Sequence, residues 1–186
     1  MTTRARYRAE NGRSVIDIKV AHSQQLFDFR DPAPFRERDL DDDAVEYLLA
    51  AAEEIPRKEP LAIVVTISDE PEPRLAPETI VDAVRTHFQY ELAQVQRRLR
   101  EHMRRGNVSL AVGLVTLIVF LSLAGFIASF PSGPVREILR EKCVITGWVA
   151  MWRPLEILLY EWRPMVADRR QIVRVLDAPV SIRYAS

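Results

Sequence analysis

Hydrophobic and polar positions divide the chain sharply. Val108 to Phe130 reads VSLAVGLVTLIVFLSLAGFIASF and holds no charged residue. As a helix rising about 1.5 Å per residue it is roughly 34 Å long, enough to cross a hydrocarbon core of about 30 Å. Upstream the periods are those of a soluble domain. Residues 14–20 alternate, with Ile16, Ile18 and Val20 on one face and Asp17 and Lys19 on the other, which predicts a strand. Asp41, Asp42 and Asp43 precede AVEYLLAAAEE and suit a helix N-terminus. The helix spans about 41–55, with Val45, Leu48, Leu49 and Ala52 as its apolar stripe and Pro56 as its stop. Residues 61–68, LAIVVTIS, form a β-branched run expected to be a central strand covered on both faces. Strand, helix, strand in that order reads as a βαβ unit. A helix over 77–105 follows, its apolar positions Ile80, Val84, Phe88, Leu92, Val95 and Leu99 at helical spacing, with a bend expected at Gly106 and Asn107.

Past the apolar stretch, PSGP reads as a turn and a second span is expected over about 138–162. It is less clean. Arg153 and Glu156 stand inside it, three residues apart, so they can neutralise each other on one helix face. Pro154 removes the hydrogen bond to the Ala150 carbonyl and predicts a kink. Two arrangements are open. Either the true span is the short Ile138 to Trp152 and Pro154 begins a helix on the membrane surface, or the span is continuous and the pair lies within the bilayer. Trp-Arg-Pro recurs at 152–154 and 162–164, so Trp152, Tyr160 and Trp162 are expected at the membrane interface. Small residues at Ser109 and Gly113, Ala124 and Ala128, and Gly125 and Ser129, answered by Thr146, Gly147 and Ala150, match the close-packing pattern of membrane helices. The tail predicts a short helix over 167–178 and a strand at Val180, Ile182 and Tyr184 that joins the N-terminal sheet.

The resulting expectation is an α+β fold. Residues 1–105 and 166–186 form one cytoplasmic domain, and residues 106–165 form an inserted transmembrane hairpin. Arg97, Arg98, Arg100, Arg104 and Arg105 crowd the entry to the first span. Such an excess marks the cytoplasmic side and favours anionic headgroups, so both termini are expected at the cytoplasmic face of an inner membrane. MTTRARYRAENGRS is not followed by an apolar run, so a cleaved secretory signal is not expected.

Charge and chemistry narrow the picture further. Twenty-six basic residues balance 26 acidic ones, which argues against nucleic acid as a partner. One cysteine, Cys143, allows no internal disulfide. Asp39, Asp41 and Asp43 imitate a calcium loop, but Ala44 and Ala50 occupy the positions that need glycine and glutamate. His87 and Glu91, at i and i+4, read as a solvated pair, and His22 and His102 as lacking partners. Phe27, Phe29 and Phe35 are expected to pin the loop before the first helix. No catalytic, cofactor or metal site is expected.

Two stretches, LFDFRDPAPFRERDLDDDAVEYLLAAA and GWVAMWRPLEILLYEWRPMVADRR, together resemble an uncharacterised family of small bacterial two-span membrane proteins. The resemblance implies this order of parts and brings no activity or ligand. Three functions compete. The first is a non-enzymatic membrane anchor or assembly module, binding a protein partner or itself through the acidic segment from Glu37 to Glu54. The second is a subunit of a homo-oligomeric channel or transporter lined by Arg153 and Glu156. The third is a membrane-surface enzyme using Asp28, Asp31, Glu37 and Asp39.

Overall fold

The computed structural model describes residues 7–34, 38–72 and 74–185. Phe35 and Glu37 lie outside the described residues. The chain is mixed helix and sheet and divides into two compact units, Met1–Val95 with Asp168–Ser186, and Gln96–Ala167.

The first unit is a four-stranded sheet in the order β1-β2-β3-β4. Strands β1 (Arg8–Glu10) and β2 (Arg13–Val20) form an antiparallel hairpin. Its turn is Asn11-Gly12, with φ of 52° and 73°, the left-handed conformation that a two-residue hairpin turn requires. Strand β3 (Leu61–Ile67) pairs parallel with β2, and β4 (Val180–Tyr184) pairs parallel with β3 from Ile63↔Val180 to Ile67↔Tyr184. Helix α1 (Asp42–Glu54) links β2 to β3. Asp41 caps it by accepting the Asp43 N–H at 3.1 Å, and Leu48, Ala51 and Ala52 form its buried face. The core gathers Ile16, Ile63, Val65 and Ile67 from the sheet with side chains of α1, Ile80, Val84 and Phe88 of the long helix α2 (Pro77–Ala128), and Ile172 and Val175 of the tail helix α5 (Trp162–Leu176).

Both faces of β3 are buried, as expected for a central strand, but they are covered differently. Val15 and Val64 belong to the face opposite that core and are nonetheless buried. Among the described residues, ion pairs stand on that side: Arg8 with Asp17 and Glu10, and Arg183 with Glu10 at 3.1 Å. Arg183, Glu10 and Arg13 line a shallow cleft with the two valines. Long charged side chains can shield apolar surface with their stems.

Helix α2 (Pro77–Ala128) runs 52 residues without a break at Gly106 and Asn107. One glycine costs a helix only about 1 kcal/mol, and here its missing Cβ has a use. A Cβ on Gly106 would stand 3.0 Å from Leu158 Cδ2 and 3.1 Å from Ile157 Cγ2.

Residues after the turn form α3 (Pro134–Ala150), α4 (Trp152–Glu156), a π-helical segment (Ile157–Glu161) and α5 (Trp162–Leu176). The tail helix therefore starts five residues before the expected position 167. Pro164 lies in its first turn, where a missing N–H costs nothing.

Candidate functional site

Within the second unit, α2 and the α3–α4 segment form an antiparallel pair held by glycines. A Cβ on Gly113 would lie 2.9 Å from Pro154 Cγ and 3.2 Å from the Ala150 oxygen. One on Gly147 would meet Leu117 and Phe120 at 3.1 and 3.3 Å. Gly125 has nothing within 4 Å, so its expected place in the helix contact is not observed. The Ala150 carbonyl, which Pro154 cannot serve with an N–H, thus faces bare backbone on α2. The helix breaks at Met151, one residue beyond that carbonyl.

Around this break sits a polar cluster. Arg153 Nη1 donates to Glu156 Oε2 at 2.9 Å. The same nitrogen lies 3.0 Å from Glu161 Oε1, a partner the sequence pattern did not identify. Eight residues along a regular α-helix, Glu161 would stand about 12 Å away and on another face. The wider turns of the π segment rotate it back toward Arg153. His102 Nε2 lies 3.6 Å from Glu161 Oε2. Trp152 and Tyr160 are exposed, Trp162 is half-buried, and Pro154 is buried. Arg97, Arg98, Arg100, Arg104 and Arg105 are all exposed along α2.

The first unit uses its polar groups to fasten loops. His87 is buried, not solvated with Glu91. Its Nδ1 lies 3.2 Å from the Leu40 backbone nitrogen and 3.2 Å from Asp39 Oδ1. His22 Nδ1 contacts the Asp69 carbonyl. The Ser23 N–H and Oγ both donate to the Glu70 carboxylate.

Asp28 takes Arg30 at 2.9 Å, and that guanidinium holds its carboxyl below the usual range. Asp31 accepts the Asp39 and Ala33 N–H groups, which lower its pKa likewise. Of the rings expected to pin this loop, Phe27 is buried but Phe29 is 87% exposed, with Arg30 over its face. Arg174 donates to four carbonyls at the end of α1 and beyond it, those of Ala52, Ile55, Pro56 and Glu59, at 2.6 to 3.3 Å. Burial, and secondarily Arg57, holds its pKa below the ordinary arginine value.

Among the described residues no group of three or more His, Cys, Asp or Glu side chains is placed to hold a metal. One helix, α2, is long and apolar enough to cross a membrane, and only 11% of its most apolar 18 residues are buried. Comparisons with protein-family models, curated proteins and solved structures return no match to this chain.

Proposed function

We propose that the chain is a membrane-anchored interaction module. In this reading α2 crosses the bilayer, α3 and α4 return, and the mixed α/β unit acts as a non-enzymatic docking domain on the cytoplasmic side. The observation that carries it is a matter of parity. Strand β4 pairs with β3, so the residues before α2 and those after α5 belong to one sheet on one side of any membrane. If α2 crosses, the chain must cross back before Val180. A core helix of a soluble protein would bury its apolar face, whereas Val112, Val115, Ile118, Val119 and Phe126 of α2 are exposed, as lipid contact requires.

The helix register puts Arg153 within snorkelling reach of the interface. Gly147 meets α2 at Leu117 and Phe120, near the middle of the uncharged stretch. Arg153 lies six residues from Gly147, about 9 Å along the axis, inside a half-thickness of about 15 Å. Its partners Glu156 and Glu161 lie farther out, so its guanidinium reaches toward the headgroups. The contacts between the helices come from Gly, Leu, Phe, Pro and Met, a packing surface better suited to an anchor than to an ion path.

The test is a cysteine map in a Cys143→Ser background. Ser132→Cys should react with an impermeant maleimide from outside the cell. Ser68→Cys and Ser181→Cys should react only after the membrane is opened. Labelling of Ser181→Cys from outside, or release of the chain by alkaline carbonate, overturns the reading.

A further inference from the structure

A groove of about 330 Å³ runs along the exposed side of α4 and the π segment, lined by Trp152, Leu155, Glu156, Leu159 and Tyr160. It combines three features. Its walls include two exposed aromatic rings, which attract an ammonium group through their faces. Its one charged lining residue is an acid. That acid is incompletely neutralised, because a single guanidinium nitrogen, Arg153 Nη1, serves both Glu156 and Glu161. His102 Nε2 lies 3.6 Å from Glu161 Oε2, the carboxylate outside the groove lining. The charge left in the groove is therefore negative, beside a cation with further N–H donors.

We infer that this groove binds the headgroup of an amine-bearing phospholipid of the phosphatidylethanolamine type. Glu156 accepts from the ammonium between Trp152 and Tyr160, and Arg153 donates to the phosphate on its inner side. Charge complementarity selects this occupant. A zwitterion matches an acid and a base three residues apart, whereas an anionic headgroup without an amine meets Glu156 unfavourably. The inference rests on the anchored reading, whose register puts the groove near headgroup depth.

Full-length protein in vesicles of equal phosphatidylethanolamine and phosphatidylglycerol provides the test, with the lipids retained on the protein after gentle extraction counted by native mass spectrometry. The wild type should retain phosphatidylethanolamine preferentially. Glu156→Gln should reduce that preference roughly tenfold, about one charge-assisted hydrogen bond. Trp152→Leu should reduce it as well, and Glu141→Gln, away from the groove, should leave it intact. Insertion into vesicles with no headgroup preference, or an unchanged preference in Glu156→Gln, overturns the lipid site while leaving the anchor standing. Failure to insert overturns the anchor and the site together.

Discussion

The glycines of the second unit make the packing argument quantitative. Carbon atoms meet comfortably at about 3.5–4.0 Å. In Gly113→Ala the new methyl would stand 2.9 Å from a proline ring carbon and 3.2 Å from a backbone oxygen. Neither can swing aside as a side-chain tip does. The helices must separate by about half an ångström or more, and a gap of that size forfeits a quarter to a half of each contact's attraction. Overpacking of this kind costs about 1–3 kcal/mol. The alanine recovers at most about 1 kcal/mol in helix propensity, so the net loss is about 1–2 kcal/mol. Gly106→Ala meets only the movable ends of Leu158 and Ile157 and should lose less than 1 kcal/mol. Gly147→Ala, at 3.1 Å from Leu117 Cδ1, should fall between them. Gly125→Ala meets nothing and should be neutral or stabilising. Unfolding by titration of SDS into mild-detergent micelles, followed by circular dichroism, ranks the four. A Gly125→Ala loss as large as that of Gly113→Ala would refute the packing register.

Two further predictions concern the first unit. Arg174→Met should destabilise it by about 2–3 kcal/mol in denaturant titration, because carbonyls at the α1 terminus lose a charged donor while the aliphatic stem is kept; a loss under 0.5 kcal/mol would show that water replaces the guanidinium freely. Asp31 has a lowered pKa in the folded chain, so its contribution is full above the unfolded value of about 3.9 and disappears as pH falls through the lower folded value. Exchange protection of the Ala33 and Asp39 amides should therefore fall below about pH 4 while β3 stays protected, and Asp31→Asn should remove that pH dependence; a transition that persists in Asp31→Asn assigns it to another group.

What could be read from the sequence was what strong periodicity marks. Strands expected at 14–20 and 61–68 are Arg13–Val20 and Leu61–Ile67, and a helix expected at 41–55 is Asp42–Glu54. Each has a clear period and a proline or acidic boundary. β1 was missed because three residues carry no period, although Asn11-Gly12 was the signal for its turn. Gly106 was misread as a boundary between two helices because its value is tertiary: the residues it admits lie about 50 positions away. Glu161 was missed as a partner of Arg153 for a related reason. Helical spacing predicts partners at three and four residues, and no local pattern announces the π turns that bring the eighth into reach. Phe29 shows the opposite error, since an aromatic in an ordered loop need not face inward.

The two helices of the second unit differ in what they contribute to insertion. Between Val108 and Ala128, 13 residues are Val, Leu, Ile or Phe. At about −0.3 to −0.6 kcal/mol each, they favour the bilayer by about 4–8 kcal/mol. Between Cys143 and Trp152 only Val144, Ile145 and Val149 belong to that set, contributing about 1–2 kcal/mol, and Lys142 and Arg153 bound a charge-free run of ten residues, about 15 Å. Such a segment does not insert well alone. If α2 crosses the bilayer as proposed, two constraints would bring this segment in: the parity imposed by β4 on β3, and the close approach that Gly113 and Gly147 permit. The polar cluster fits this division of labour. A return helix too short in apolar residues must place its charges near the interface, and Arg153, bent by the Pro154 break toward Glu156 and Glu161, has its countercharges there. Under the proposed function α2 would hold the chain in the membrane, and the α3–α4 segment would be polar enough to present Trp152, Glu156 and Tyr160 to the headgroups.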